Sequence, residues 1–372
     1  MKAYIITIVL CMILCIISDV FMNKKKYKTT VVFMSFAVTA LCLLAAFRSE
    51  YVGRDVHTYL TILFDDFSKG TSLIAEIQST HAGGIEPLFM LLVYLTSGFG
   101  SLNVVFFFIQ LAVTLPVFIY GYKTKKEDNV PISLTTFIFL MTMYVYSFSM
   151  MRQSIAISFC LLSLHYYKKK NNKISFLLLL IAFLFHRTAL IMLLIMFLYR
   201  VSCSSKRNSA LSAFIVLMVS VLAGALLRSI VSILPSKYSI YLGGSFDTSF
   251  NVASLFKKCI PLVISLIFSV KALLRNSGEK NLLLFSFFLA VYDILFYFFG
   301  LNVSEISRIC LYFTDILYFT FAPIVIRKVR PIAISATLLV VMLSVFWVHM
   351  LVINNEADTY PYKSDVMPVL NG

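Results

Sequence analysis

Charged residues are scarce in this chain. Lys, Arg, Asp and Glu make up only 13% of its 372 residues, whereas 60% are hydrophobic and the mean hydropathy is +0.90. A soluble domain carries about 25% charged residues, because its surface must stay wetted. The composition therefore excludes a soluble globular protein, a disordered chain and a collagen-like repeat. It predicts an integral membrane protein with the lipid bilayer as its solvent.

Paired cysteines and nucleotide-binding motifs are absent as well. The seven cysteines are scattered and odd in number, and no CxxC pair occurs, so no disulfide framework or metal site is predicted. The chain has no Walker motif, no GxGxxG and no cluster of metal ligands. We expect no cofactor, and neither ATP hydrolysis nor nucleotide-sugar chemistry on the cytoplasmic side.

The net charge of +15 raises the question of a nucleic-acid partner. In membrane proteins, however, Lys and Arg collect in short cytoplasmic loops. Most of the 32 basic residues here fall in such loops, predominantly as Lys, so no nucleic-acid partner is predicted.

Apolar runs recur along the whole chain. A membrane helix needs about 20 apolar residues to cross about 30 Å. These runs predict an all-α polytopic membrane protein with roughly 10–12 transmembrane helices. The runs lie at about 4–22, 30–47, 102–120, 131–149, 152–167, 210–234, 259–275, 281–300, 309–326 and 332–353.

Charge placement predicts the orientation. Most of the positive charge near the first run follows it, in residues 24–28, so this run reads as a retained helix with its N-terminus outside rather than as a signal peptide. Both termini are then on the outer side, which is the periplasm if the membrane is a bacterial inner membrane. We expect a single membrane domain over residues 1–353, with outer loops at about 48–101 and 235–257, and a short tail on the outer side over 354–372.

Two segments are too short or too interrupted to cross the membrane once. Residues 174–199 are apolar except for His186-Arg187 at their midpoint, with basic loops on both sides. This pattern predicts a re-entrant pair of half-helices, each spanning about 18 Å, with His186-Arg187 at the apex. A second short helix is predicted at Glu86–Thr96, before the break at residues 97–100.

The predicted outer side carries arginines where topology gives no reason for them. Arg binds phosphate through a planar fork of donors, and an ionisable group at membrane depth indicates a functional site. Arginines converging on one outward-facing cavity therefore predict a phosphate or pyrophosphate ligand. Alternatively, each arginine forms an ion pair with a nearby acid or extends to the membrane–water interface. This alternative applies most strongly to Arg228. The residues are Arg48, Arg54, Arg152, Arg187, Arg228 and Arg308.

Some outer residues have both a chemical and an ordinary interpretation. In the first loop Gly53 permits a bend, and Asp55 or His57 can act as a base unless the loop is merely solvated. Glu86 before Pro87 suits substrate binding, or simply complements the dipole of the short helix. Tyr360-Pro361-Tyr362 in the tail, like Tyr238 and Tyr241, can stack on sugar rings.

Further candidates lie at predicted helix ends. Arg152 lies near a helix N-terminus, which already favours anions, and Gln153 can bond to a phosphate or a sugar. His186 is a candidate general base beside the fixed cation of Arg187. Glu305 and Arg308 share one helix face, as an acid and a cation for the site or as a local ion pair. Three acids inside helices can line the cavity or pair with Arg: Asp19, Asp293 and Asp315.

The order of these residues resembles the EpsG-like family of bacterial inner-membrane proteins, which are related to Wzy-type polymerases. The resemblance depends on Arg48, Gly53, Asp55 and Tyr59, then Glu86-Pro87, Met151-Arg152-Gln153-Ser154-Ile155-Ala156, His186 and Arg308. It implies a GT-C-like glycosyltransferase architecture and a metal-independent enzyme of the outer leaflet. This enzyme would join undecaprenyl-pyrophosphate-linked oligosaccharide repeats of O antigen, capsule or exopolysaccharide, with a chain-length regulator protein as a further partner.

The resemblance and the residues together give a site hypothesis. Arg152, Arg187 and Arg308, with Arg48 or Arg54, would hold pyrophosphate, because positioned cations stabilise the charge on the leaving group. The base that accepts the acceptor proton would be His186, then Asp55, then Glu305 in order of preference.

Other functions remain as alternatives. An O-antigen ligase uses the same donor, although this chain lacks a large outer domain. A transporter or flippase of lipid-linked sugar would place charges along a path through the whole membrane rather than on one side. A membrane O-acyltransferase is more distant.

Overall fold

The computed structural model describes residues 1–79, 84–203, 218, 252–274, 280–300, 304–328, 332–355 and 357–370. Within these ranges the regular backbone is helical throughout and contains no β-strand. The chain divides into two compact units. The first comprises Met1–Ala189 with Ala336–Gly372, and the second comprises Leu190–Ser335.

The first unit contains long helices joined by shorter ones. In chain order its helices are α1 (Lys2–Asn23), α2 (Tyr27–Ala46), α3 (Thr61–Ser68), α4 (Leu73–Gln78), α5 (Pro87–Ser97), α6 (Leu102–Asp128), α7 (Ile132–Thr142), α8 (Met151–Lys168) and α9 (Asn172–Phe185). Single turns at Val56–Leu60, Tyr146–Phe148 and Arg187–Leu190 connect some of them. Helix α2 packs between α1 and α6, α8 packs between α6 and α9, and the short α5 contacts α3, α6 and α9.

The second unit contains α10 (Ile191–Ser202), α11 (Val252–Leu274), α12 (Lys280–Gly300) and α13 (Ser304–Lys328). The last helix, α14 (Ile332–Val348), is assigned to the second unit up to Ser335 and to the first unit from Ala336, and a turn at His349–Ile353 extends it. In the second unit α12 packs against α10, α11 and α13.

An all-α polytopic membrane protein is confirmed. Five described helices are long and apolar enough to cross a membrane: Lys2–Asn23, Tyr27–Ala46, Leu102–Asp128, Lys280–Gly300 and Ala333–Ile353. Their outward faces carry large apolar side chains such as Ile6 and Phe36, both more than half exposed, as lipid contact requires. The GT-C-like architecture and the predicted domain bounds stay predictions, and almost all of the predicted 210–234 span lies outside the described residues.

The predicted short helix and the predicted interruption at His186 are both present, whereas the return of the two half-helices to the same side of the membrane stays a prediction. Helix α5 begins at Pro87, with Glu86 as its N-cap residue, and ends before the break at Gly98. Between α9 and α10 the helix is interrupted at His186, whose backbone is extended. The predicted 131–149 helix is too long, because α7 ends at Thr142.

The two ends of the helices in the first unit differ in chemistry. At one end Asp19 accepts hydrogen bonds from the backbone N–H groups of Ile132 and Ser133, at 2.7 and 2.9 Å. At the same end Lys169 pairs with Asp128 at 2.9 Å. This is the Lys-rich end of α1, α6 and α8. The predicted outer residues of the first unit lie at the opposite end of the helices, as the loop charges predict.

In the second unit, Asp293 has a Lys partner rather than an Arg. Its carboxylate is buried and accepts hydrogen bonds from Nζ of Lys258 and from the hydroxyl of Thr314, both at 2.7 Å. A buried charge in an apolar helix is costly unless it is paired, and this pair satisfies that need.

Candidate active site

Glu86 is the centre of a charged cluster at the end of the first unit opposite the Lys-rich loops. Its Oε1 atom lies 2.8 Å from Nδ1 of His186, and its Oε2 atom lies 2.7 Å from a guanidinium nitrogen of Arg152. The backbone N–H of Arg187 also donates to Oε1, at 3.1 Å. The Glu86 side chain is 4% exposed, so the cluster is largely shielded from water. One carboxylate thereby joins three separate segments of the chain.

The interpretation of Glu86 as a simple helix cap is wrong. Glu86 occupies the N-cap position of α5, but its side chain forms no capping hydrogen bond. Both carboxylate oxygens instead contact side chains that are distant in sequence. The helix start is set locally by Pro87, whose missing N–H costs nothing at that position.

Arg152 is held on several sides. It is the second residue of α8, and its guanidinium donates to the carbonyl of Gly84 at 3.1 Å as well as to Glu86. The guanidinium carbon lies 4.4 Å from the centre of the Tyr59 ring, a cation–π contact. Its side chain remains 18% exposed. The fork is therefore oriented in advance, and part of it can still reach a ligand.

Tyr59 connects Arg152 to the first outer loop. Its ring is 8% exposed, and its hydroxyl donates to Oδ2 of Asp55 at 3.3 Å. The ring edge also packs against Phe89 of α5, with centroids 5.8 Å apart. Asp55, one of the predicted bases, is thus brought to the same cluster as Arg152 and Glu86.

His186 presents one ring nitrogen to Glu86 and one away from it. When the carboxylate is ionised, Nδ1 carries the proton that it donates, which leaves Nε2 with a free lone pair. Among the described residues His186 has no other hydrogen-bonding partner for its ring, and the side chain is 18% exposed. The side chain of the next residue, Arg187, is exposed. This arrangement resembles the carboxylate–histidine half of a catalytic triad.

The electrostatics keep Glu86 ionised. Burial alone would raise the pKa of its carboxyl. The hydrogen bond to His186, the charge of Arg152 and the N–H of Arg187 outweigh burial and lower the pKa to about 2. Glu86 is therefore a permanent anion at neutral pH, suited to orienting its neighbours rather than to accepting a proton.

Arg48, a predicted pyrophosphate ligand, is 3% exposed. Its guanidinium lies between the rings of Phe106 and Phe148, at 4.2 and 4.7 Å, and donates to the Phe148 carbonyl at 2.9 Å. These contacts stabilise a buried cation and fix the chain just before α8. Pyrophosphate binding by Arg48 stays a prediction; its burial favours a positioning role.

Glycine is required at position 53, where the first outer loop contacts the segment just before α8. Its φ angle is +105°, and a Cβ there would lie 2.3 Å from the Phe148 carbonyl oxygen. No larger residue fits at that distance. The expected bend is confirmed, and it places Arg54 beside α8: the Arg54 N–H donates to Oγ of Ser149 at 3.2 Å.

The other predicted site residues have different surroundings. The Arg54 side chain is exposed and paired with Asp358 at 2.8 Å, and Gln153 is buried. Arg308 is partly buried in the second unit. Tyr362 is completely buried, so the prediction that it stacks on sugars is wrong. The side chain of Glu305 and the whole of Arg228, Tyr238 and Tyr241 lie outside the described residues.

Three residues that contact the predicted arginines were not among the predicted site residues: Tyr59, Ser149 and Asp358. Tyr59 belonged to the family pattern, but nothing in its spacing indicated that its ring lies against Arg152. Asp358 is 304 residues from its partner Arg54, beyond the reach of any local pattern. Among the described residues no group of three or more His, Cys, Asp or Glu side chains is arranged to hold a metal ion.

A comparison with known protein families gives one match. The family model described as EpsG matches residues 31–364, an interval that contains every residue of the charged cluster. No curated protein and no solved structure matches the chain.

Proposed function

The chain belongs to the EpsG family, and on that premise we propose that it polymerises lipid-linked oligosaccharide repeats at the outer face of a bacterial inner membrane. At the family level the function is polymerase-like, in the synthesis of exopolysaccharide or O antigen. The substrates that we propose carry undecaprenyl pyrophosphate. The observation that carries the proposal is the Glu86 carboxylate, which binds a histidine and an arginine at once.

The proposed reaction transfers a growing glycan from its carrier to the next repeat. The acceptor hydroxyl oxygen attacks the anomeric carbon of the donor sugar, and a carbon–oxygen bond forms. The bond from that carbon to the pyrophosphate oxygen breaks, and its electron pair leaves with the lipid pyrophosphate. The acceptor proton passes to Nε2 of His186. Glu86 holds Nδ1 and stabilises the imidazolium that results.

The leaving group requires stabilisation of its developing negative charge. Arg152 is held by Glu86 and stacked on Tyr59, so little reorganisation is needed when pyrophosphate arrives. The exposed side chain of Arg187 adds a second cation beside the base. Arg54 remains a candidate for a more distant phosphate or sugar contact, and the role of Arg308, in the second unit, stays a prediction. Cations in these positions supply charge stabilisation without a metal ion.

Orientation supports a site on the outer face. The charged cluster lies at the helix ends opposite the Lys-rich loops, which the positive-inside rule assigns to the cytoplasm. A flippase would be expected to place charges along a path through the membrane. The cluster in the first unit is confined to one end of its helices, which favours an enzyme over a transporter.

The glycan profile of a deletion strain tests this function. The strain is complemented with wild type or with Arg152→Ala at matched membrane levels. We expect a polymer ladder with wild type and a single repeat with the variant. Loss of even the first repeat would favour a ligase or flippase, and an unchanged ladder in the deletion strain would exclude this pathway.

A further inference from the structure

The C-terminal tail is packed into the first unit. Tyr362 and Tyr4 of α1 are both completely buried. Their rings are packed edge to face, with centroids 5.5 Å apart. The Tyr362 hydroxyl donates to the carbonyl of Leu44 at 2.8 Å, and the Tyr4 hydroxyl donates to the carbonyl of Thr359 at 2.7 Å. Two buried aromatic rings with satisfied hydroxyls make a firm anchor.

The anchored tail holds the first outer loop at two points. The Ser49 N–H donates to the carbonyl of Lys363 at 2.8 Å, and the Gly53 N–H donates to the carbonyl of Asp358 at 2.9 Å. The Asp358 carboxylate also pairs with Arg54. Backbone bonds near the beginning and end of residues 49–54 restrict the loop more than a single surface ion pair could.

The same loop leads directly to the charged cluster. The Arg54 backbone contacts Ser149, three residues before Arg152, and Tyr59 follows one turn later with its ring against the Arg152 guanidinium. A continuous set of contacts therefore connects Tyr362 to Arg152.

We propose that residues 354–364 are a positioning segment for the reaction: they fix the first outer loop and, through Tyr59, the orientation of Arg152. This inference builds on the proposed function. The match to the EpsG family ends at residue 364. Beyond it residues 365–369 are exposed, with Val366 54% and Val369 91% accessible. The boundary between positioning segment and dispensable end thus lies at about residue 364.

Two truncations test the boundary in the glycan profile of the deletion strain. Removal of 365–372 is expected to leave the polymer ladder unchanged, whereas removal of 354–372 abolishes it. Polymerisation by both truncated proteins would overturn the inference. If wild type itself gives no ladder, the proposed function fails instead, so the two failures are distinguishable.

A rescue experiment separates positioning from a folding defect. Tyr362→Ala is expected to reduce polymer formation at least tenfold, whereas Tyr362→Phe retains most of it. Ser49→Cys with Lys363→Cys, in a Cys203→Ser background, then tethers the tail to the loop by a disulfide formed with copper phenanthroline. We expect the tether to restore polymerisation to Tyr362→Ala and reduction to remove it. A tether that forms but does not restore polymerisation to Tyr362→Ala, or one that abolishes the activity of the otherwise wild-type chain, would contradict the inference.

Discussion

Glu86 and His186 lie 100 residues apart in sequence, yet Oε1 of the first is 2.8 Å from Nδ1 of the second. The contact joins the start of a short helix to the break between two half-length helices. It sets the tautomer of the histidine and turns Nε2 away from the carboxylate. The same carboxylate holds Arg152, so the proposed base and the proposed anion-binding group share one anchor.

Replacement of Glu86 by Gln should therefore impair both groups together. The amide cannot carry the charge that orients His186 and neutralises Arg152, and we expect a loss of polymerase activity of about 10²-fold or more. Glu76→Gln is the matched control, because Glu76 is also buried in the first unit but its carboxylate accepts from Ser79 instead. Initial rates on lipid-linked repeats would measure both variants, and equal rates for the two would refute the role of Glu86.

Arg152→Lys tests whether geometry matters beyond charge. A lysine ammonium is a point charge and cannot reproduce the fork that reaches Glu86 and the Gly84 carbonyl while stacked on Tyr59. We expect a rate reduction of about 10- to 100-fold, and a larger one for Arg152→Ala. Full activity of the lysine variant would exclude planar recognition of pyrophosphate by this residue.

Tyr59 should act mainly through its ring. Tyr59→Phe keeps the cation–π contact and loses the hydrogen bonds of the hydroxyl to Asp55 and Arg152, so we expect a decrease of a few fold. Tyr59→Leu removes the ring, and the expected decrease is about tenfold or more, with the amount of folded protein unchanged. The ratio of the two initial rates is the measurement; a leucine variant as active as the phenylalanine variant would show that the ring is dispensable.

The low pKa of Glu86 predicts how the cluster responds to acid. The folded value of about 2 is below the ordinary value of 4.5, so the ionised form stabilises the folded state at neutral pH. That contribution is complete above about pH 4.5 and is lost as the pH falls towards 2. In thermal unfolding of detergent-solubilised protein, the difference between wild type and Glu86→Gln should shrink as the pH falls from 4.5 towards 2. A difference that grows over that range would have the wrong sign.

Most of the described helices could be predicted from the sequence because each one is determined by a continuous run of apolar residues. A bilayer demands about 20 apolar residues per crossing, and the runs near residues 4–22 and 30–47 became α1 and α2. The helix predicted at 131–149 is longer than the observed one because of tertiary contacts. The chain leaves the helix after Thr142, so that the hydroxyl of Tyr144 reaches the Leu41 carbonyl and the carbonyl of Phe148 reaches Arg48. No glycine or proline marks that break.

The site was predictable in its residue types but not in its pairings. Arginines on the wrong side of the topology, and a His-Arg pair in an apolar run, are anomalies that a single sequence reveals. Which carboxylate meets which cation depends on helix packing across 66 to 100 residues. For that reason Glu86 resembled a helix cap, and the tail that contains Tyr362 resembled a free end.

The most direct test of the account is a reaction with purified protein in detergent and undecaprenyl-pyrophosphate-linked repeats, comparing wild type with His186→Ala. Wild type is expected to release undecaprenyl pyrophosphate in step with the growth of the glycan. The variant should bind the repeats yet react about 10²- to 10⁴-fold more slowly, as the loss of a general base predicts. Glycan growth by His186→Ala at the wild-type rate would contradict the mechanism, and the absence of any growth with wild type would contradict the proposed function itself.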